Sequence, residues 1–409
     1  MSTVLDSPLA GKAAVATDGG TTGDVRRVAL PTGLMELTVE SGAAFSLDAL
    51  IGFAARANAR RGFLFLSKVL GKHWPVTPCM MLAIHTDLAA RVPADLPGPV
   101  VFIAMAETAI GLGQGVFEAW KRAHPEREAL FLHTTRYHVG DAPILEFEEV
   151  HSHAPRQFLH QPAGAALQAL LKSARSLVLV DDEASTGNTF LNLTAACRAL
   201  NPAIEHVHLA AITNFMGREA NQALSGRFGL PVTVGAALSG AYQFTAGPLQ
   251  PFAGASQRFE SHADRGASAS FGRLGVDRLL DQPSALAERL RAGIAPHERV
   301  LVLGTGEFMH MAFLLGRALE AGGVDVVVQS TTRSPILQWG AVSHILNFPD
   351  NYGEGVENFI YNVTPGQHDH VFICHETPPN AALQQLANAV KGRLFHFLSE
   401  SHCEEISVR

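Results

Sequence analysis

The sequence predicts an α/β protein: a parallel sheet flanked by helices, followed by a smaller α/β domain. Three observations carry this reading. Between Pro99 and Ile212 short apolar, β-rich runs alternate with helical patterns of about ten residues or more, the mark of a parallel sheet. The same alternation restarts at Arg299 and continues to Leu398. At 409 residues the chain is long enough for two cores, and with 47% hydrophobic and only 17% charged residues it can bury both.

Taken in order, Met1 to Gly23 reads as a mobile tail and Leu34 to Val39 as an edge strand, so residues 1–45 form an N-terminal tail and edge segment. Ser46 is placed to cap a helical pattern (Leu47, Leu50, Ile51, Ala54) that Gly62 ends, with Asp48 in its first turn. This opens a first domain over residues 46–250. Its predicted strands are Val100 to Met105, Ala129 to His133, Leu177 to Val180 and Val207 to Ile212, with helices near Ala109 to Arg122, Ala165 to Ser173 and Phe190 to Leu200. Residues 251–297, rich in Gly, Ala and Ser at first, read as a linker with one amphipathic helix, Ser284 to Arg291. A second domain over residues 298–409 has strands Val300 to Leu303, Val324 to Gln329, His370 to Cys374 and Leu394 to Leu398, and helices Phe308 to Glu320 and Ala381 to Val390.

Composition excludes several function classes. The net charge of −7 comes with no basic block, which argues against nucleic acid as a partner. No basic and apolar leader opens the chain, and no apolar run reaches the ~18 residues of a membrane span, so neither export nor a membrane is expected. Cys79, Cys197, Cys374 and Cys403 are too scattered for a disulfide framework or zinc knuckle, which fits a reducing cytoplasm. Only six residues are lysine, two of them four residues apart, against 19 histidines.

The chemistry concentrates in Leu177 to Thr189, L-V-L-V-D-D-E-A-S-T-G-N-T: an apolar strand, acids at its carboxyl end, a small-residue loop, then a helix. Ligands of open parallel sheets bind at strand carboxyl ends. Ser185, Thr186, Gly187, Asn188 and Thr189 can present backbone N–H groups and hydroxyls to a phosphate dianion. Asp181 and Asp182 can accept from paired hydroxyls and stabilise a developing sugar cation. A phosphate beside a diol beside a cation-forming carbon describes 5-phosphoribosyl 1-diphosphate, PRPP. V-D-D-E also resembles the opening of a receiver domain, but that reading needs a later lysine, and none lies between Lys172 and Lys391.

The same segment resembles the PRPP signature of type I phosphoribosyltransferases. The chain as a whole resembles the orotate phosphoribosyltransferase-like subgroup with a C-terminal domain named for T-R-S-P, here Thr332 to Pro335. Further matching segments are Arg61 to His73, Ala106 to Gly115, His133 to Tyr137, Glu148 to Ala154 and Asn347 to Asn362, so the resemblance covers about residues 45 to 400. It implies a Mg2+-dependent transferase of nucleotide or nucleoside-like metabolism, associated with tellurium-resistance-type gene clusters. PRPP and a nitrogenous base are the implied ligands, in either direction of reaction, with Mg2+ contacted by Asp181 and Asp182 indirectly through PRPP. A cytoplasmic homodimer is implied as well. A non-catalytic PRPP- or nucleotide-binding regulatory module is the alternative.

By this resemblance, Ala106, Glu107, Thr108 and Ala109 form the pyrophosphate loop, although Glu107 would repel pyrophosphate unless a cation intervenes. Its competing role is a favourable charge at a helix N-terminus. His133 to Arg156 corresponds to the mobile hood that excludes water, with Arg136 facing pyrophosphate and Glu149, His151 or His153 as proton donor or acceptor. A metal-binding pair is the competing reading of His151 and His153. Lys68 and Lys72 would share a helix face, or a loop near the hood, and meet pyrophosphate or base; otherwise they form a solvated face. Gly304, Thr305 and Gly306, with Thr332, Arg333 and Ser334, are candidates for a second anion site. The competing role for Arg333 is a structural network with Asp350.

Overall fold

The computed structural model describes residues 16–18, 24–40, 44–56, 61–148, 156–248 and 266–407. Its largest sheet has eight strands. Five are parallel and in the chain run Val100–Ala104, Ala129–His133, Ser176–Ala184, His206–Asn214 and Val232–Ala246. In space the second of these lies outside the first, and the third, fourth and fifth follow on the other side. The winding therefore reverses between Val100–Ala104 and Ser176–Ala184, and a crevice opens beyond their carboxyl ends.

Both faces of these strands are covered, which is why they read as continuous apolar runs. On one face Val100, Phe102, Val178, Val180 and Ile212 pack with Ile84 and Leu88 of the helix Pro78–Ala90 and with Leu112, Val116 and Trp120 of the helix Ile110–Ala123. On the other, Val101, Ile103, Leu177, Leu179 and Leu209 pack with Leu171, Phe190, Leu193 and Phe228 from three more helices. The helix Ile110–Ala123 lies unusually close: a Cβ on Gly113 would stand 2.4 Å from that of Ala104.

Three expectations need correction. The pattern after Ser46 is not a long helix. Ser46 does accept from the Ala49 N–H, but the helix ends at Leu50, and Ile51–Ala55 turns into a hairpin with Phe63–Ser67. The partner segment F-L-F-L-S is strongly β-forming, and its pairing overrides a single turn of helical periodicity. The N-terminal segment is more than one edge strand: Gly33–Val39 pairs with the distal half of Val232–Ala246, Asp24–Leu30 pairs with Gly33–Val39, and Ala16–Asp18, inside the supposed tail, pairs with Asp24–Leu30. The polar segment after His133 contains a further hairpin, Ile144–Glu148 with Arg156–His160.

The second sheet has Asp325–Ser330, Arg299–Gly304, His370–His375 and Arg393–Phe397 in parallel, with Cys403–Ile406 antiparallel at the edge. It too reverses its winding, between Arg299–Gly304 and His370–His375. Here the crevice is filled from within. Arg273, 2% exposed, donates to both carboxylate oxygens of Glu376 (2.8 and 2.7 Å) and to Glu307 (3.2 Å). Tyr352 closes the same place, its hydroxyl donating to the Thr305 carbonyl and to Glu376, both at 3.0 Å. Val276, three residues past Arg273, pairs with Phe131 at the margin of the first sheet. The segment between the two α/β units is thus built into both.

Truncating Arg273 to alanine leaves Glu307 and Glu376 buried side by side without their cation. The expected loss is about 3–5 kcal/mol of unfolding free energy, to be read from the midpoint of urea denaturation; an unchanged midpoint would refute this assignment.

Candidate active site

The crevice of the first sheet is flanked by the two segments that leave its central strands. After Val100–Ala104 comes Met105–Ala109, in which the Ala106–Glu107 peptide is cis. Thr134 and Gln157 hold this turn in place. The Ala106 N–H donates to Thr134 Oγ1 (2.7 Å), Thr134 Oγ1 donates to Gln157 Oε1 (2.6 Å), and Gln157 Nε2 donates to the Ala106 carbonyl (3.3 Å). Glu107 does not face an incoming anion unescorted. Its carboxylate lies 2.8 Å from Lys72 Nζ and 3.3 Å from Arg333 Nε. Burial alone would raise its pKa, but Lys72, Arg333 and Arg136 outweigh burial and hold it at about 2. Lys72 is 1% exposed and also donates to the Gly306 carbonyl at 2.7 Å.

The other segment is the acidic end of Ser176–Ala184 and the small-residue loop that follows it. Asp181, Asp182 and Glu183 are half-buried on the cleft. Burial pushes the Asp182 carboxyl upward, and the neighbouring Glu183 adds to this. Glu183 is matched by Arg61, whose Nη2 reaches both its oxygens at 2.6 and 2.7 Å. Gly187 takes a left-handed conformation (φ 75°) and starts the helix Asn188–Leu200, so its lack of a side chain is used. Arg227 braces the loop from behind, donating to the Thr186 carbonyl (2.9 Å) and to Asn188 Oδ1 (2.7 Å).

Asp181, Asp182, Ala106, Glu107, Thr108, Arg136, Thr332, Arg333 and Ser334 all line one cleft of about 390 Å³, with Ser185–Thr189 directly following in the chain. Two groupings differ from expectation. Lys68 and Lys72 do not share a helix face, because the chain after Phe63–Ser67 runs through bends. Lys68 turns away to donate to the Asp48 carbonyl (3.0 Å) and to cover the Trp74 ring. Nor do Gly304–Gly306 and Thr332–Ser334 make a separate anion site. Gly306 lies beneath the Tyr352 ring, Gly304 packs on the Phe308 backbone, and Glu307 fastens the hood segment, accepting from Thr135 Oγ1 (2.6 Å) and from the Arg136 N–H (3.0 Å). Thr332, Arg333 and Ser334 instead form a wall of the first cleft, and Arg333 also lies over the Tyr137 ring.

Glu149, His151 and His153 lie outside the described residues. Two other histidines, one at the start of the hood segment and one just past its end, are held by backbone carbonyls. Burial pushes His133 down to about 4, and its Nδ1 is within 2.8 Å of the Thr134 carbonyl. His160 Nε2 bonds the Tyr137 carbonyl. Cleft residues given no role from sequence include Arg56, Arg61, Leu64, His73, Gln157, Glu183 and Glu357. The only signal for Glu183 was its place after the paired aspartates; Arg61, which opens a matching segment, meets it across 122 positions, and nothing local linked the two.

Paired acids and a small-residue loop thus lie on one side of the switch point, and a cation-backed turn on the other. A family model described as phosphoribosyl transferase matches residues 50–241, and one described as the TRSP domain C-terminal to it matches residues 270–390. The chain belongs to this family of phosphoribosyltransferases with a C-terminal TRSP domain. Among solved structures it is similar to adenine phosphoribosyltransferase from Trypanosoma brucei in complex with AMP, pyrophosphate and ribose-5-phosphate (13% identity, 46% of this chain and 77% of that one, TM-score 0.33). It is similar also to adenine phosphoribosyltransferase from Leishmania donovani (12%, 48% and 80%, 0.33) and to orotate phosphoribosyltransferase from Aeropyrum pernix (16%, 46% and 88%, 0.28). No curated protein sequence matches it. Among the described residues no helix is long and apolar enough to cross a membrane.

The Glu107 pKa, about 2 against an ordinary 4.5, has a definite pH consequence. Between those values the unfolded chain binds the proton and the folded chain does not. The stabilisation is therefore complete above about pH 4.5 and lost as pH falls toward 2. Glu107→Gln should lower stability at pH 7, where Lys72 loses its counter-charge, and flatten the decline between about pH 4.5 and 2. Denaturation midpoints across that range measure both effects.

Proposed function

We propose that the protein transfers a 5-phosphoribosyl group between PRPP and a nitrogenous base. The observation that carries this reading is the meeting of the Asp181–Asp182 pair and the Ala106–Thr108 turn on one cleft at the sheet switch point, with the Ser185–Thr189 loop following the acids in the chain and opening a helix. In this reading the N–H groups and hydroxyls of Ser185–Thr189 hold the 5'-phosphate. Asp181 and Asp182 accept from the ribose hydroxyls and stabilise positive charge developing at C1'. Ala106–Thr108 and Arg136 face the pyrophosphate. A base nitrogen forms its bond to C1' as the C1'–O bond breaks, and pyrophosphate leaves with that electron pair. The reverse transfer uses the same groups.

Mg2+ would supply charge neutralisation on the pyrophosphate oxygens. The carboxylates of Asp181 and Asp182 are the hard oxygen donors such an ion prefers and would contact it through PRPP or water. The cations around Glu107 account for a carboxylate beside a pyrophosphate site: Lys72 and Arg333 together outnumber it. A soluble cytoplasmic enzyme of nucleotide or nucleoside-like metabolism, acting as a homodimer, completes the proposal.

The test is pyrophosphate release from PRPP and Mg2+ over a panel of bases. Asp181→Asn combined with Asp182→Asn should slow release at least about 100-fold; release that survives the double change removes these residues from the site. Tight PRPP binding without release for any base would favour a binding module over an enzyme. Separately, Arg227→Ala should raise the KM for PRPP about tenfold, near the net worth of one charged hydrogen bond, with a smaller change in kcat. Equal changes in both would place Arg227 outside phosphate positioning.

A further inference from the structure

Building on the transferase reading, we propose that the acceptor is a planar ring bearing a carboxylate, which Arg56 reads at the seam between the first unit's hairpin and the TRSP domain. Two sets of charges act on the residues of the cleft. Around Glu107 they are Lys72, Arg333 and Arg136, the end assigned to pyrophosphate. Around Arg56 they are Arg61, Glu183 and Asp182, the end assigned to ribose. An acceptor attacking C1' must lie beside the ribose, so Arg56 stands where it arrives.

Arg56 differs from the other buried or half-buried arginines of this region. Arg61 is paired with Glu183, Arg333 with Glu107 and Arg273 with Glu376. Among the described residues Arg56 has no ion-pair partner; its Nη2 donates to Ser334 Oγ at 3.0 Å, and its buried Nε bonds nothing. An uncompensated buried charge is costly, and a guanidinium that lines a cleft without a counter-charge suits a carboxylate. Burial and the neighbouring Arg61 lower the Arg56 pKa to about 10, which still leaves it charged at neutral pH.

Next to it His73, 3% exposed, has an Nε2 without a partner on the same cleft. Burial keeps this imidazole neutral, with a pKa of about 3, so it offers one donor and one acceptor nitrogen to a ring nitrogen or N–H. Leu64, Pro335 and Val356 supply apolar surface for a ring. Glu357, the acid on this wall, is 6% exposed and already accepts from Asn347 Nδ2 at 2.6 Å.

The experiment uses the full chain with PRPP and Mg2+ and two acceptor pairs, orotate against uracil and nicotinate against nicotinamide, each pair differing at the carboxylate. Pyrophosphate release and calorimetric binding to the PRPP-loaded protein are both read. At least one carboxylated ring should exceed its uncharged counterpart about 100-fold in kcat/KM or in affinity. Arg56→Ala should raise the KM or Kd for that ring about 30-fold while the PRPP KM moves less than about threefold, with Arg56→Lys recovering only part of the loss. Equal treatment of both members of each pair by the wild-type protein, in turnover or in binding, overturns the inference. So does a rise confined to the PRPP KM, which would make Arg56 a pyrophosphate contact. Release with the uncharged rings alone sinks the acceptor inference and leaves the transferase standing; failure to bind PRPP at all sinks both.

Discussion

The buried ion group Lys72–Glu107–Arg333 is the constraint on which the cleft depends. Lys72 follows the hairpin of the first unit, Glu107 sits on the turn after a central strand, and Arg333 belongs to the TRSP motif. None of the three would tolerate burial alone. Together they fix a carboxylate against two cations and leave the surrounding loop net positive. The same contacts hold a wall of the second unit against the crevice of the first, since Lys72 also grips the Gly306 carbonyl. Binding chemistry and the joint between units are therefore one arrangement of charge.

The two α/β units use similar winding differently. Each reverses direction near the middle of its parallel strands and so creates a crevice. In the first unit that crevice is lined with groups that suit a phosphorylated sugar. In the second, Arg273, Glu307, Glu376 and Tyr352 satisfy one another there. What the second unit contributes is its neighbouring edge: Thr332, Arg333, Ser334 and Pro335 cross over to the other unit's cleft, and Glu307 ties down Thr135 and Arg136.

Much of this was legible in the sequence wherever signal is local. Leu177 to Thr189 carries strand, acids, small-residue loop and helix start in thirteen consecutive residues, and the structure has the strand, the loop and the helix start in that order. The parallel strands were readable because burial on both faces makes them uniformly apolar. Contacts between distant segments were not. Ile51 to Ala55 looked helical until Phe63 to Ser67 paired with it, and T-R-S-P looked like a second site because nothing local links Arg333 to Glu107, 226 positions away. Arg56 was hidden for the same reason, since Ser334 lies 278 positions further on.

The strand Val232–Ala246 gives the molecule a common ruler. Its first half is parallel to His206–Asn214, and its second half leaves the parallel region to pair antiparallel with Gly33–Val39. At its far end Tyr242 and Phe244 pack on Phe63, with ring centroids 5.2 and 4.9 Å apart, and Arg61 lies over that same Phe63 ring. Side chains on a strand alternate faces, so one residue inserted into this strand would turn Tyr242 and Phe244 to the opposite side. The aromatic stack beneath Arg61 would then be lost while the parallel strands, and the acids they carry, stayed in place. Phase along one strand thus tells the cleft whether its two walls were assembled from the same count of residues.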